Sequence, residues 1–390
     1  MIICVLKESL SLGGTERSAA NISKALSKTQ QVFTVLYDGS NPQYTYGGEL
    51  VNLNLPAKNG LAAKVINNMR RANRYNKFIK TNNIELLFEF LSIGSPLCAL
   101  RHKKQIRVIS LRDFGVLQRR AKRFHKCLSR ADAMVCNSGY LRDYYIAKYP
   151  EHKDRVFTIY NIIDIQDICA QGAESVEIAF NEFCSAHPKT VVAVGRFCRE
   201  KGFEYLIRSI AEARKKDPQI GLVLVGVGSY CNGYREIVAK EGQMNHVFFA
   251  GYQSNPYKYM AKCSCFVLSS VSEGFPNVLA EAMALHLPVI STNCLTGPAE
   301  ILRDDADYSA VKDRYELCDY GILTPRFTAG AENDAAVIEL SNAICALLAS
   351  HELMEKYAGL AGQRVLQYSE KEASKKLNEM FSVLKARRKS

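Results

Sequence analysis

Short runs of aliphatic and β-branched residues alternate along the chain with longer segments in which apolar positions recur at helical spacing. In the first part of the chain, the apolar runs occupy residues 1–6, 32–37, 86–90, 107–111, 134–137 and 157–160. Runs of this length and composition are typical of buried strands, and amphipathic segments separate most of them. The pattern therefore predicts an α/β fold with a mainly parallel sheet.

The alternation lapses between residues 163 and 187 and then starts again. The second series of apolar runs occupies residues 190–194, 221–226, 247–250, 265–269, 289–291 and 320–323. With 390 residues, 47% of them hydrophobic, the chain can bury two separate cores. We predict an N-terminal domain over residues 1–162, a C-terminal domain over 163–369 and an amphipathic helix over 370–390, with the ligand held between the two sheets.

The cysteine pattern argues against a disulfide framework or a metal site. Thirteen cysteines show no repeated C-x-x-C spacing, and only Cys263 and Cys265 lie close together. This pattern is typical of free thiols in a reducing compartment. Residues 1–6 lack the basic leader of an export signal, and the best candidate apolar stretch, around residues 90–100, is about half the roughly 20 residues that a spanning helix needs. We expect a cytoplasmic protein without a membrane span.

Positive charge is concentrated in the first domain. Residues 1–160 hold 26 Lys and Arg against 11 Asp and Glu, whereas the remaining residues hold 25 against 28, within a net charge of +12. Two predicted helices carry most of the excess, one with Lys64, Arg70, Arg71, Arg74, Lys77 and Lys80, the other with Arg119, Arg120, Lys122, Arg123 and Lys126.

Three interpretations of these basic helices are open. An anionic membrane surface fits basic helical faces, and we favour it. Nucleic acid is a competing partner, but no nucleic-acid-binding motif accompanies the charge, so we expect none to bind. The third interpretation is that the charges are only solvated.

Residues 272–282, with the sequence SEGFPNVLAEA, set two carboxylates eight positions apart around a predicted helix start. Residues 267–270 are predicted to end a strand, Gly274 permits a turn, and Pro276 suits the first helical turn because its missing N–H costs nothing there. The helix start leaves backbone N–H groups that can receive a diphosphate, with assistance from the helix dipole. These N–H groups belong to Asn277, Val278 and Leu279.

The two carboxylates of this segment are predicted to hold opposite ends of one ligand. Glu281 lies four residues after Asn277, on the same helix face and about one turn deeper. A carboxylate there would accept hydrogen bonds from the vicinal hydroxyls of a ribose. Glu273 lies in the loop on the other side of the phosphate position, where it would hold a hydroxylated group such as a sugar.

This segment resembles the E-x7-E motif of the family 4 retaining glycosyltransferases, and further segments extend the resemblance over nearly the whole chain. They are GGTER at 13–17, ADAMVCNS at 131–138, IYNIID at 159–164, VGR at 194–196, KG at 201–202 and LVGVG at 224–228. The segment at 159–164 departs from the family's PNGVD in its Pro and Gly. The resemblance implies the GT-B fold, with two Rossmann-like domains facing an interdomain cleft and the helix at 370–390 crossing back onto the first domain.

The resemblance implies that Arg196, Lys201 and Glu273 are catalytic. The two cations would stabilise the leaving nucleoside diphosphate without a bound metal or other cofactor, since negative charge grows there as the glycosidic bond breaks. By the resemblance, Tyr252 would line the base pocket. The alternative is that it is an ordinary aromatic residue of a loop. The implied donor-binding residues are Gly13, Gly14, Gly195, Arg196, Lys201, Gly251, Tyr252, Glu273, Gly274, Phe275, Pro276, Asn277, Val278, Leu279 and Glu281.

One position departs from the family's pattern on the acceptor side. Where many members have a His after the strand at 108–111, this chain has Arg112 and Asp113. Asp113 is a base toward an acceptor hydroxyl or an ion-pair partner of Arg112, and we favour the pair. Arg112 would then help to position phosphate or acceptor. Retaining members of the family are thought to need no enzymic base, because the leaving phosphate oxygen takes the acceptor proton.

These observations together predict a retaining glycosyltransferase. It would move a hexose-type residue from a nucleoside diphosphate sugar, a UDP-sugar by preference, to an acceptor hydroxyl. The expected acceptor is a lipid-linked glycan at the inner face of the cell membrane, in the assembly of bacterial surface polysaccharide or glycoconjugate. The alternatives are a nucleotide-sugar epimerase or a phosphorylase on the same framework, and a non-catalytic nucleotide-sugar-binding subunit.

Overall fold

The computed structural model describes residues 1–11, 13–90, 104–305, 307–308, 311, 313–328 and 332–389. The chain divides into two compact units, Met1–Ile162 with Glu370–Ser390, and Ile163–Ser369. Each unit contains a sheet of seven strands with helices on both faces, and the pairing is parallel except at one edge of the second sheet. The α/β prediction is confirmed.

The first unit is a parallel sheet in the order β3-β2-β1-β4-β5-β6-β7. Its strands are β1 Ile2–Lys7, β2 Gln31–Leu36, β3 Glu49–Asn52, β4 Leu86–Phe90, β5 Ile106–Leu111, β6 Ala133–Cys136 and β7 Val156–Thr158. Its described helices are α1 Gly14–Ser27, α2 Leu61–Thr81, α3 Phe114–Leu128, α4 Gly139–Lys148 and, from the end of the chain, α14 Glu370–Lys389.

The alternation of side chains along the strands divides this unit into two cores. On one face, Cys4 and Leu6 of β1 belong to a buried cluster with residues of α2, α3 and α4. On the other face, Ile3 and Val5 belong to a cluster with residues of α1 and with Leu377 of α14. Because successive residues of a strand point to opposite faces, a continuously apolar strand is what a sheet covered on both sides requires.

The second unit repeats this architecture, with the sheet order β10-β9-β8-β11-β12-β14-β13. Its strands are β8 Lys189–Val194, β9 Ile220–Val225, β10 Val247–Gly251, β11 Cys265–Leu268, β12 Val289–Thr292, β13 Glu316–Leu317 and β14 Ile322–Thr324. Its helices are α5 Ile165–Gly172, α6 Ile178–Ala186, α7 Phe203–Lys216, α8 Cys231–Lys240, α9 Tyr257–Met260, α10 Asn277–Ala284, α11 Pro298–Leu302, α12 Asp334–Ala349 and α13 His351–Val365.

The segment 304–319 ends in an antiparallel edge strand, where β13 pairs with β14. Arg303 ties its described part to the sheet edge: Nη2 lies 2.7 Å from Glu316 Oε2, and Nη1 donates to the Asp307 carbonyl at 2.9 Å. The Tyr320 hydroxyl donates to Asp304 at 2.6 Å. The segment therefore terminates the sheet.

One of the basic residues expected to face a lipid surface, Arg71, is used inside the first unit, and for it that expectation is wrong, whereas Arg74 is exposed. Arg71 is buried; its Nε donates to the Leu55 carbonyl at 2.9 Å, and its guanidinium lies 4.5 Å from the ring centroid of Tyr37. Arg74 donates to the Leu53 carbonyl at 2.5 Å. Both side chains fasten α2 to the segment that follows β3, because a guanidinium can satisfy carbonyl groups that no strand pairs.

No single helix in the described part of the chain combines the length and apolar content needed to cross a bilayer, although one bent pair, Asp334–Ala349 with His351–Arg388, meets the test by length and composition.

A fully buried ion pair joins β4 to β5 in the first unit. Nε and Nη2 of Arg107 both lie 2.7 Å from Oε2 of Glu89, and the Tyr75 hydroxyl donates to Oε1 at 3.3 Å. Both charged side chains are 1% exposed. Burial raises the pKa of Glu89, against the lowering effect of the adjacent guanidinium. Neither charge can reach water if its partner is lost.

We expect Arg107→Met to destabilise the first unit by about 3–5 kcal/mol, because it leaves the Glu89 carboxylate buried and unpaired. Lys28→Met removes an exposed pair in the same unit, Lys28 with Glu370 at 2.6 Å, and should cost about 1 kcal/mol or less. Urea unfolding of the full chain, followed by circular dichroism, measures both variants. Equal losses of stability in the two variants would contradict the assignment of the Glu89–Arg107 pair as a core constraint.

Candidate active site

The second sheet reverses its strand order at β8, which lies between β9 and β11 and is parallel to both. At such a switch point the connections leave toward opposite faces, and a crevice opens beyond the carboxyl ends of the strands. The segment after β8 carries Arg196 and Lys201, and the segment after β11 carries Glu273. The fold therefore brings two segments that are about 70 residues apart to one edge of one sheet.

Lys201 lies in a 3-10 turn just before the next helix. The turn spans Arg199–Lys201, and α7 begins at Phe203. Gly202 separates them in the left-handed region, with φ of 61°, and a Cβ there would collide with the Ser269 carbonyl oxygen. The Ser269 hydroxyl donates to the Lys201 carbonyl at 2.9 Å. This close approach locks the lysine segment against the end of β11.

Lys201 and Glu273 form an ion pair at this edge. Lys201 Nζ lies 2.6 Å from Glu273 Oε1, and the side chains are 23% and 12% exposed. Burial by itself lowers the pKa of Lys201, but the charge of Glu273 and its hydrogen bond outweigh burial and raise that pKa above its ordinary value. The lysine is therefore fully charged at neutral pH.

Ser270 fixes the same carboxylate from its own loop. Its hydroxyl donates to Glu273 Oε1 at 2.6 Å, and Ser270 is fully buried. Thr296 donates to the Glu273 carbonyl. With Oε1 bonded to both Lys201 and Ser270, Oε2 has no partner within the described residues and is the oxygen left to accept from a ligand. The sequence analysis missed Ser270, although its position three residues before Glu273 was the available signal.

Helix α10 begins at Asn277, close to the predicted start, but Pro276 is its N-cap rather than a residue of its first turn. One of its three expected N–H donors is not available: Leu279 N–H donates to the Pro276 carbonyl at 3.0 Å, so this part of the prediction is wrong. The turn tightens at its start, which is common where a helix opens with a short i to i+3 bond. Val278 N–H has no hydrogen-bond partner in the described part of the chain and remains open to an anion.

Other residues of the motif are held by their side chains. Phe275 is buried, with its ring in edge contact with Tyr368 at 5.2 Å, and Leu279 is fully buried, so both anchor the loop and helix. Glu281 is only 5% exposed. A carboxylate so deep in the first turns of α10 is unusual on a merely solvated helix face, and its contact with a ribose remains a prediction.

The remaining candidates of the second unit lie at the carboxyl ends of neighbouring strands. Arg196 follows β8, is exposed, and makes no hydrogen bond or ion pair with a described residue. A Cβ at Gly195 would lie 3.3 Å from Lys201 Cε, so the lysine stem crosses the backbone there. Gly251 closes β10 with φ of 69°, and Tyr252 beyond it is 57% exposed. The roles predicted for Arg196 and Tyr252 remain predictions.

The first unit places Gly13 and Gly14 at its own switch point, since β1 lies between β2 and β4. Helix α1 begins at Gly14. Gly13 N–H donates to the Tyr44 hydroxyl at 3.2 Å, a partner that the sequence analysis did not foresee. Lys7, at the end of β1, lies 3.1 Å from Glu16.

The expected ion pair between Arg112 and Asp113 is wrong within the described residues. Asp113 instead caps α3, its Oδ1 accepting from Val116 N–H at 2.7 Å, which is the usual role of an Asp at a helix start. Arg112 donates through Nε to Ser110 and through Nη1 to Asn161, both at 2.6 Å.

One guanidinium nitrogen of Arg112 is left over. Nη2 is buried and has no hydrogen-bond partner in the described part of the chain. Burial lowers the pKa of Arg112 to about 9, so the side chain is still a cation at neutral pH. Arg112 is thus a pre-oriented cation at the carboxyl end of β5, while the capping contact makes Asp113 a poor candidate for a general base.

Metal-ligating side chains come together at one place in the described residues, in the first unit. Atoms of His125, Glu151 and His152 lie within 4.8 Å of one another. However, Arg155 Nη2 lies 2.6 Å from His152 Nδ1, so that nitrogen accepts and the ring proton is on Nε2, 3.1 Å from His125 Nδ1. The arrangement fits a hydrogen-bonded histidine pair better than a metal centre. The twelve described cysteines are free, and Cys98 lies outside the described residues.

Two models of known domain families match the chain, one for each unit. Residues 12–167 match the model described as Glycosyltransferase Family 4, and residues 177–315 match the model described as Glycosyl transferases group 1.

Three curated relatives illustrate the range of similarity. An uncharacterized glycosyltransferase of Methanocaldococcus jannaschii is 41% identical over 35% of this chain and 34% of its own length. An N-acetylgalactosamine-N,N'-diacetylbacillosaminyl-diphospho-undecaprenol 4-alpha-N-acetylgalactosaminyltransferase of Campylobacter jejuni is 30% identical over 45% of both chains. An amylovoran biosynthesis glycosyltransferase of Erwinia amylovora is 23% identical over 95% of this chain and 96% of its own. The chain thus matches less than half the length of the first two relatives.

Solved structures show the fold over the full length. HepE of Anabaena, in complex with UDP, has a TM-score of 0.72 at 19% identity and covers 98% of this chain and 100% of its own. Sucrose-phosphate synthase of Thermosynechococcus elongatus has a TM-score of 0.72 at 18% identity and covers 99% of both chains. The two parallel-sheet units are those of the GT-B fold, and each unit contains the match to one glycosyltransferase domain model.

Proposed function

We propose that this protein is a retaining glycosyltransferase that transfers a sugar from a UDP-sugar to a hydroxyl of a lipid-linked glycan. The observation that carries the proposal is the Lys201–Glu273 pair at the β8–β11 switch point. The pair sets a buried cation beside a carboxylate with one free oxygen, and the start of α10 follows within four residues. Binding of a nucleoside diphosphate sugar needs that combination. The cation and the N–H group would bind the phosphates, and the carboxylate would accept a hydrogen bond from a sugar hydroxyl.

The structures of HepE from Anabaena support a uridine nucleotide as donor, since they contain UDP, UDP with glucose, and UDP-glucose. At identities of 18–19% these neighbours share the fold and do not fix the sugar. The exposed Tyr252, beyond β10, is available to line the base pocket in this proposal.

The reaction follows from the charges at the site. The bond between sugar C1 and the β-phosphate oxygen breaks, and the acceptor oxygen bonds to C1 on the same face. The acceptor proton passes to the departing phosphate oxygen, so no enzymic base is needed. Lys201 and Arg196 stabilise the negative charge that grows on the diphosphate, an interaction stronger in the transition state than in the ground state. Val278 N–H adds a backbone donor.

Two relatives support a glycan acceptor of the bacterial envelope. The Campylobacter jejuni enzyme is named for an acceptor carried on diphospho-undecaprenol, and the Erwinia amylovora enzyme for amylovoran biosynthesis. In this proposal Arg112, whose buried Nη2 has no partner among the described residues, holds an anionic group of the acceptor in the first unit. The protein would then work at the inner face of the cell membrane.

A donor panel tests the proposal most directly. Purified protein, incubated with UDP-, GDP- and ADP-sugars, is expected to hydrolyse a UDP-sugar slowly and to do so faster with a lipid-linked acceptor. The product should keep the donor's anomeric configuration by NMR. Free epimerised sugar without acceptor would show an epimerase instead, and a requirement for inorganic phosphate would show a phosphorylase. Loss of activity in a chelator would contradict catalysis by Lys201 and Arg196 without a metal.

We expect Lys201→Met to lower kcat on the order of 100-fold or more, because the variant loses charge stabilisation of the leaving diphosphate. Arg196→Ala should have an effect in the same direction. Lys215→Met is the matched control: it removes a lysine from α7 that pairs with Glu212 at 2.7 Å on the surface. Steady-state kinetics with unchanged melting temperatures measures the three variants. Near-normal turnover in a folded Arg196→Ala/Lys201→Met double variant would remove the proposed diphosphate site.

Substitutions of Glu281 and Glu273 should affect different parts of the donor. Glu281→Gln is expected to weaken binding of bare UDP by about 1.5–3 kcal/mol, since it loses a charge-assisted hydrogen bond to ribose. Glu273→Gln should not weaken UDP binding, because the carboxylate only competes with UDP for Lys201, and should lower turnover of the UDP-sugar, because its free oxygen contacts the sugar. Exposed Glu236 in α8 provides the control variant Glu236→Gln. Calorimetric titration decides, and equal losses of UDP affinity in both site variants would show that the division of roles is wrong.

A further inference from the structure

The N-terminal half of α2 exposes large apolar side chains that the rest of its unit does not cover. Leu61 is 87% exposed, Val65 58%, Ile66 53% and Met69 64%. Residues four apart lie on one face of a helix, so Leu61, Val65 and Met69 form a stripe, with Ile66 beside it. Scattered exposed apolar residues are ordinary, but four in nine residues on one helix face are a contiguous patch.

The rest of α2 is firmly attached to the first unit. Tyr75 and Ile79, in the C-terminal half, are 0% and 2% exposed within the core, and Asn67 donates to the Pro56 carbonyl at 2.8 Å. Arg71 is buried as described above. The helix is therefore held in place from Asn67 onward, and the apolar stripe is a feature of the folded unit rather than of a detached segment.

Positive charge surrounds the stripe without compensation. No acidic residue occurs between Glu49 and Glu85, a stretch that holds seven Lys and Arg. Arg71 is buried, Arg74 is exposed but donates to a backbone carbonyl, and the other five are exposed and make no ion pair with a described residue. At 100° per residue, Lys64 flanks the stripe on one side, and Arg70 and Lys77 flank it on the other. Lys58 and Lys80 are the other two of these five cations.

We propose that this surface, which comprises the apolar stripe of α2 and the cations Lys58, Lys64, Arg70, Lys77 and Lys80, docks the protein on an anionic lipid bilayer. The apolar side chains enter the boundary between headgroups and acyl chains, and the cations contact anionic headgroups. Charge complementarity selects this occupant, because a second copy of the chain meeting the same surface would oppose two uncompensated positive rims. The inference does not rest on the sugar-transfer chemistry, since vesicle binding can be measured without donor or acceptor.

Helix α3 allows the contribution of charge to membrane binding to be distinguished from that of the apolar stripe. Arg119, Arg120, Lys122, Arg123 and Lys126 are exposed along it, as in α2, but the exposed large apolar residues of the first unit do not include any from α3. If charge alone attached the protein, α3 would serve as well as α2. Attachment by charge alone would be fully reversed by salt, whereas the stripe predicts attachment that salt weakens and does not abolish.

The chain contains no tryptophan, which gives a direct probe of depth. Val65→Trp places a single indole in the stripe, and Gln118→Trp places one on the exposed face of α3. With vesicles of phosphatidylcholine and phosphatidylglycerol, Val65→Trp fluorescence should shift to the blue and be quenched by brominated acyl chains. Gln118→Trp should do neither. An unshifted, unquenched Val65→Trp, or equal quenching of both, would overturn the proposal.

Sedimentation with the same vesicles tests the energetics. Leu61→Ser/Val65→Ser/Met69→Ser should reduce binding roughly tenfold and make the remainder fully sensitive to salt, since three apolar groups no longer leave water. Lys58→Gln/Lys64→Gln/Arg70→Gln should reduce binding at about 0.1 M salt and change it little at about 1 M, where the Debye length is only about 3 Å. Arg119→Gln/Lys122→Gln/Arg123→Gln is the charge-matched control and should bind nearly as the unaltered protein does.

All substituted side chains are exposed, so melting temperatures should match that of the unaltered protein, which keeps a loss of binding interpretable. Equal binding to pure phosphatidylcholine, or full retention of binding in the stripe variant, would contradict the proposal. Analytical ultracentrifugation would also show whether the protein is a dimer in solution. A dimer that dissociates in the stripe variant would assign the surface to contact with a second copy and would overturn the membrane proposal.

Discussion

The candidate site depends on one constraint: β8 and β11 are adjacent and parallel, so the segments that follow them leave the sheet at the same edge. The Lys201–Glu273 pair at 2.6 Å is the chemical consequence. Gly202 allows the lysine turn to touch the end of β11, where the Ser269 hydroxyl bonds to it. A two-residue shift of either segment would leave a buried charge without its partner, which is costly in a largely dehydrated position.

The sequence predicted the features that local rules govern. Apolar runs gave the strands, because a strand covered on both faces must be continuously apolar. The helix start at Asn277 was predictable because Gly274 and Pro276 restrict the backbone before it. The same local rules did not show that Leu279 N–H is taken by the Pro276 carbonyl, since such a bond depends on how the first turn tightens.

Charged residues are where the sequence analysis was weakest. Neighbours in sequence suggested that Asp113 would pair with Arg112, yet Asp113 caps a helix and Arg112 turns to Ser110 and Asn161. Asn161 is 49 residues away, and only the adjacency of β5, β6 and β7 brings it near. A count of Lys and Arg likewise could not show that Arg71 is internal or that Val65 is exposed. Both facts depend on which face of α2 packs on the sheet.

In the proposed function, the Lys201–Glu273 pair would also help the site to favour the transition state over the bound donor. In the structure without donor, Glu273 holds Lys201 in place, and the lysine is pre-oriented in a position where solvent cannot screen it well. An arriving diphosphate must compete with the carboxylate for the ammonium, so the ground state gains only part of the cation's charge. As the glycosidic bond breaks, negative charge grows on the phosphate. The phosphate then interacts with the Lys201 ammonium more strongly than Glu273 does. The competition therefore shifts stabilisation from the bound donor to the transition state, which is the difference that raises kcat.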